Sequence, residues 1–151
     1  MGTVNAGVFS VWENAFKIGK VGATSTDEDM VSIAECITFS PTFDVGEETW
    51  NSMDDEGWVN GLVTSNRISL SISAKRSIGD PGNDYVAGLV AVMGQSAQSK
   101  FEWSFPDGSK LAFLCNVVVT NNSGGDSTNV GALEFEVRSC KKPTYTPKAS
   151  V

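Results

Sequence analysis

From Arg67 to Arg76 apolar and polar positions alternate without a break: Ile68, Leu70, Ile72 and Ala74 share one parity, and Ser69, Ser71, Ser73 and Lys75 the other. Successive side chains of a strand point to opposite faces, so this run predicts a β-strand with one core face and one small, wettable face. A turn-rich break follows, Gly79-Asp80-Pro81-Gly82-Asn83-Asp84. Beyond it Val86, Leu89, Val90 and Met93 fall at i, i+3, i+4 and i+7, the spacing of a short helix over 85–94. Asn83 or Asp84 would cap its start and Gly94 its end. An isolated helix of about ten residues is marginal in water, so this one is expected to lie with its apolar stripe on a sheet.

The same two periods organise the rest of the chain. Val8–Trp12 and Ala15–Ile18 read as short strands, and 19–29 as an exposed loop. Val31, Ile33, Ile37 and Phe39 alternate with polar or small residues, predicting a second strand whose apolar face is interrupted by Glu35 and which Pro41 closes. Asp44 to Asn66 reads as a long loop. Lys100–Phe105 and Lys110–Thr120 read as two strands joined by the turn Pro106-Asp107-Gly108. The second of these carries Leu114 and Val118 on the side opposite Leu111, Phe113, Cys115, Val117 and Val119, so both of its faces call for cover. Asn121–Asn129 is a polar loop. A last strand, Ala132–Arg138, sends Leu133, Phe135 and Val137 inward and Glu134, Glu136 and Arg138 outward, and Lys141–Val151 has no period. The expected fold is mainly β, a β-sandwich or partly open barrel with one short flanking α-helix.

Length changes the picture little: 151 residues suit a single domain, 1–151, with 1–30 an N-terminal arm or short strands and 141–151 a C-terminal arm. Charge and missing residue types change it more. A net charge of −7 argues against a stable grip on nucleic acid, which needs clustered cations to neutralise phosphates. The chain has no histidine, so Ser-His-Asp and Cys-His catalysis are excluded and the commonest general base and metal ligand is missing. Three cysteines, Cys36, Cys115 and Cys140, have no paired spacing; the first two sit in apolar strand patterns as small hydrophobes. No apolar run has the roughly 20 residues of a membrane helix, and the start of the chain lacks the basic-then-apolar order of an export signal. Synthesis in a cytoplasm, with no membrane anchor, is the expectation.

Two acidic clusters, Asp27-Glu28-Asp29 and Asp54-Asp55-Glu56, lack the residue order of a calcium loop, and Gly79–Gly82 matches no phosphate-binding pattern. The stripe Phe101, Trp103, Phe105 has no interleaved base and reads as core. No enzyme and no cofactor are expected. What stands out is Asp44–Asn66, in which the acids Asp44, Glu47, Glu48, Asp54, Asp55 and Glu56 surround Trp50, Met53 and Trp58 without a single Lys or Arg. A loop of this length inside a compact domain is usually functional.

The order of these pieces resembles the major tail tube proteins of long-tailed, siphovirus-like bacteriophages and prophages. The resemblance is carried by Glu47-Glu48-Thr49-Trp50-Asn51, Gly57, the strand from Arg67 to Lys75-Arg76, Gly79-Asp80-x-Gly82-Asn83-Asp84-Tyr85, Phe101–Gly108 and Gly124-Gly125-Asp126-Ser127, and spans about residues 31–143. It implies a virion protein that stacks as hexameric rings into the tail tube, the conduit for DNA ejection. Its partners would be further copies of itself, the tail terminator, tape measure and tail-tip proteins, and duplex DNA in transit. On that reading Glu102, Glu134 and Glu136 are candidates to face the lumen, where like charge lets DNA slide. Asp44, Glu47, Glu48, Trp50, Met53 and Trp58 are candidates for contacts between subunits. The competing class is a capsid-decoration or carbohydrate-binding β-sandwich, in which Trp50 and Trp58 would stack on sugar rings. A hydrolase with paired carboxylates has only Glu134 and Glu136 on one strand face, spaced as on any solvated strand.

Overall fold

The computed structural model describes residues 7–147. Its strands are β1 (Ala15–Gly19), β2 (Met30–Ser32), β3 (Cys36–Asn51), β4 (Val59–Lys75), β5 (Gln98–Ser104), β6 (Lys110–Asn122) and β7 (Ala132–Thr146), with one α-helix, α1 (Pro81–Ala87), between β4 and β5. All strand pairs are antiparallel, in the order β2-β1-β5-β6-β7-β4-β3. The expected mainly-β, partly open architecture with one short helix is what forms.

The sheet is strongly curled. In a flat sheet the five strand spacings from β1 to β3, at about 4.8 Å each, would hold them about 24 Å apart. Instead Phe39 of β3 meets Phe16 of β1 edge to face at 4.9 Å and Trp103 of β5 at 5.6 Å. The curl comes from the alternation itself: Ile68, Leu70 and Ile72, Leu133, Phe135 and Val137, and Phe101, Phe113 and Val117 all point to one side and are buried. Wrapping that face inward is the way one sheet hides it, and α1 packs against β1, β2 and β6. Val86, Ala87 and Leu89 supply the helix's share of the core. Gly82 permits the approach, since a Cβ there would overlap the carbonyl of Ser32.

Several boundaries differ from expectation, each for a local reason. Val11–Glu13 is a 3-10 turn instead of a strand, with the Ser10 amide donating to the Glu13 carboxylate at 3.1 Å. The strand expected over 31–39 divides into β2 and β3 at Glu35, whose φ of 64° turns the chain and takes the one charged residue off the apolar face. Pro41 does not end β3: it pairs opposite Leu70 within an edge strand, where the ladder tolerates a missing donor. The helix is shorter and earlier than its apolar spacing implied. Asp80 is the N-cap, accepting from the Asn83 amide at 3.0 Å, and Pro81 fits the first helical position. After Gly88 the chain leaves the helix, Ala91 takes φ 62°, and Val90 and Met93 end up exposed. β7 continues to Thr146, so 141–146 is strand and not arm, while 148–151 lie outside the described residues. Of the N-terminal arm expected over 1–30, residues 1–6 likewise lie outside them.

Asn83 joins the helix to the sheet. It is fully buried, and its amide nitrogen donates to the carbonyls of Lys75 (2.9 Å) and Ala34 (3.2 Å). Its amide oxygen accepts from the Ser77 backbone (3.0 Å) and from Arg76 (2.9 Å), which also pairs with Asp84 at 2.7 Å. Asn83→Ala would strand several buried partners, and a buried unsatisfied group costs about 1–3 kcal/mol. Urea unfolding should therefore register a loss of about 3 kcal/mol for Asn83→Ala, against about 0.5 kcal/mol or less for the exposed Ser71→Ala; equal midpoints for the two variants would contradict this role.

Candidate functional site

The segment expected to be a loop, Asp44–Asn66, is a β-hairpin. β3 and β4 pair from Cys36 opposite Ala74 to Asn51 opposite Val59, with register shifts after Cys36 and after Gly46. A tight turn at Ser52–Trp58 closes them: the Ser52 hydroxyl accepts from the Asp54 amide, the Trp58 amide donates to Asp55, and Glu56 and Gly57 take positive φ. The Asp55 carboxylate accepts from the Asn60 side chain at 2.8 Å. Sequence reading missed the hairpin because Gly46, Gly61 and the acids break the two-residue period; the β-branched Val59, Val63 and Thr64 were the available signal.

β4 pairs with β7 only from Ser69 to Lys75. The part of β4 before Ser69 has β3 as its only strand partner, so the hairpin runs past the sheet as a two-stranded ribbon, roughly 30 Å long at 3.3 Å per residue. An isolated two-stranded hairpin is marginally stable at best, and this one leaves Val45, Leu62 and Val63 exposed besides Trp50 (46%), Met53 (97%) and Trp58 (80%). The six candidates Asp44, Glu47, Glu48, Trp50, Met53 and Trp58 all lie on this ribbon or its turn. Exposed apolar surface of this extent marks an interaction site.

The other candidates lie on the convex, wet face of the sheet. Cross-strand register puts Glu134 beside Ser73 and Asn121, Glu136 beside Ser71 and Val118, and Glu102 beside Lys17 and Ala112. Each carboxylate has a partner. Glu134 accepts from the Ser73 hydroxyl and the Asn121 amide (3.4 and 3.0 Å), Glu136 from Arg138 (2.9 Å), and Glu102 pairs with Lys110 at 3.5 Å. The Arg138 hydrogen bond holds the Glu136 carboxyl below the usual carboxylate range. With Lys100 and Arg138 on the same side, the face is of mixed charge rather than simply acidic. Leu114 and Val118 also lie here and stay partly exposed, so the second apolar parity of β6 finds no full cover among the described residues.

In the other acidic cluster the Asp29 carboxylate accepts from the Thr26 amide at 3.0 Å, closing a 3-10 turn over Asp27–Asp29. Among the described residues no three His, Cys, Asp or Glu side chains converge as for a metal ion, and no helix is long and apolar enough to cross a membrane. All three cysteines are free thiols. Burial raises the Cys115 thiol to about 12, opposed in part by a hydrogen bond with the Ser99 backbone. Burial, aided by the Asp80 carboxylate, raises Cys36 to about 11. At pH 8 a thiol with a pKa of 11 is only about one part in a thousand thiolate, so native Cys36 and Cys115 should resist iodoacetamide and react on unfolding; mass spectrometry of pulse-labelled protein checks this.

No protein-family model matches the chain, and comparison with curated proteins by sequence finds no match. Solved structures do match in shape. One is a chain from the tail of an empty gene transfer agent particle obtained by helical refinement with C6 symmetry: TM-score 0.73, 14% identity, covering 93% of this chain and 100% of that one. Another, from the virion of a native gene transfer agent particle, has TM-score 0.68 at 14% identity over the same shares. The two chains come from assembled particles, and what they share with this protein at that identity is the fold: a curled antiparallel sheet with one helix, matched over nearly its whole length.

Proposed function

We propose that this protein is a structural subunit of a phage-like tail, assembling into hexameric rings that stack as a tube through which DNA passes. The observation that carries the reading is the β3–β4 hairpin: a ribbon of exposed apolar and acidic residues that its own domain does not cover. The fold in which it occurs is that of tail chains solved in a sixfold particle. In this reading Trp50, Met53 and Trp58 are buried between subunits while Asp44, Glu47 and Glu48 stay at the wet rim. The tail terminator, tape measure and tail-tip proteins would meet the ends and interior of the tube, and the virion tail is its place of residence.

Glu102, Glu134 and Glu136 would face the lumen. Glu102 and Glu136 engage Lys110 and Arg138, which takes those two cations from a polyanion's grip and favours sliding of DNA.

Self-assembly is read by sedimentation and negative-stain imaging from micromolar to millimolar protein. Rings or tubes above a threshold concentration are expected. Folded monomer throughout would overturn the reading, and tryptophan fluorescence that responds to sugars in such a monomer would favour a decoration or carbohydrate-binding role. Trp58→Ala and Trp50→Ala should each raise the threshold, about 30-fold for a contact worth about 2 kcal/mol, with the circular dichroism of the monomer unchanged.

The lumen assignment has its own test, Glu134→Lys with Glu136→Lys. Both side chains are partly exposed and the Glu136–Arg138 pair is a surface pair, so folding should lose only about 1 kcal/mol, from the donors left by Glu134. Tubes should still form, and particles built from them should eject DNA more slowly, most of all at low salt, where screening is least. Unchanged ejection would put these glutamates on the outer wall.

A further inference from the structure

Resting on the reading of self-assembly, we infer that the acidic hairpin tip of one copy docks on the aromatic groove and the exposed Lys141 and Lys142 at the far end of β6 and β7 in the copy beside it. Three observations lead there. The ribbon carries six acids and no base from Asp44 to Asn66, so its receptor must be basic. Lys141 and Lys142, adjacent on β7, are both exposed and belong to no ion pair among the described residues, whereas Lys110 of the neighbouring strand is already engaged by Glu102. From Lys141 to Thr146 β7 has no acid, and neither do the β6 residues Lys110, Leu111, Ala112 and Leu114 paired along that end. The ladder is irregular here, where Lys141 has φ 61° and the register shifts between Ala112 and Leu114, which pushes the two lysines out of the regular strand.

The receptor is also apolar at its centre. Phe9, Phe105, Pro106 and Tyr145 line an open groove of about 500 Å³ at the end of β7 that also carries Lys141 and Lys142. Asp107 shares its wall, but its carboxylate is engaged by the Ser109 hydroxyl and amide. Trp58 and Met53, the most exposed large apolar side chains of the tip, sit among Asp54, Asp55 and Glu56. An aromatic and thioether knob with an acidic collar thus meets an aromatic groove on the strand that carries Lys141 and Lys142: apolar complementarity at the centre and charge at the edge, the usual anatomy of a specific interface.

Topology sets the symmetry of the contact. β4 and β7 are antiparallel, so β4 read backward from Ser69 and β7 read forward from Arg138 leave their shared ladder toward the same end of the sheet. The hairpin and the two lysines are therefore at one end of each molecule. A copy related by rotation, without an end-over-end flip, brings the hairpin of one to the lysines of the next. Such a head-to-tail contact closes into a ring when the rotation between copies is a whole fraction of a turn.

The test is a charge exchange in the full chain, with wild type as the measure of assembly itself. Asp54→Lys with Glu56→Lys makes one variant, and Lys141→Glu with Lys142→Glu the other; these side chains have no ion pairs to lose. Each variant by itself opposes like charges and should raise the assembly threshold at least about 100-fold. Mixed in equal amounts they restore both contacts, and rings of alternating variants should form at near the wild-type threshold. Assembly of either variant by itself at that threshold, or a mixture that stays monomeric while wild type assembles, would overturn this docking and leave the tube reading standing; monomeric wild type would instead remove the tube reading.

Discussion

The buried Asn83 side chain is the interaction on which the rest of this structure depends. One amide binds the carbonyl of Ala34, just before β3, and that of Lys75, the last residue of β4, while its oxygen takes Arg76 and the Ser77 amide. Those are the two ends of a hairpin that runs from Cys36 to Lys75. The clamp is short-range and fully satisfied, and in the low-dielectric core such a network is stiff because any partner released there has no water to turn to.

A rigid root and an uncovered tip follow from the same chain geometry. Near the root, β3 and β4 share the core: Phe39 touches Phe16 and Trp103, and Leu70 and Ile72 are buried. Beyond Ser69 the partner strand β7 turns away to finish its ladder with β6, and the ribbon continues with only its own cross-strand bonds. The domain thus holds its most apolar exposed element in a defined direction without burying it. That suits a contact made by preformed parts, since ordering the arm is done on folding and not on binding.

The wet face obeys a different constraint. Alternation along β4, β5 and β7 forces Ser69, Ser71, Ser73, Glu102, Glu134 and Glu136 outward once the apolar parity is inside, and neighbours across the strands then decide their electrostatics. Glu136 is acidic in the sequence and half of an ion pair in space. A count of charges along a strand therefore overstates the field above it.

What the sequence by itself determined is whatever depends on neighbours one to four residues away. The alternation in 67–76, 100–105 and 132–138 specified strands and their buried faces, Phe105–Ser109 specified a turn, and Asp80-Pro81 specified a helix start that outweighed the apolar spacing of 86–93. Even Glu35, the mismatch in an apolar run, marked the turn between β2 and β3. Tertiary structure decided the rest. Whether 44–66 is loop or ribbon rests on pairing across up to 22 intervening positions, as between Asp44 and Arg67, and the segment's own period is broken by Gly46 and Gly61. Whether 141–146 is arm or strand rests on β6, which supplies the ladder that a prolyl, lysyl segment cannot propose for itself. The gathering of Phe9, Phe105 and Tyr145 has no trace in local order, because the curl of a seven-stranded sheet is a property of all its buried faces together.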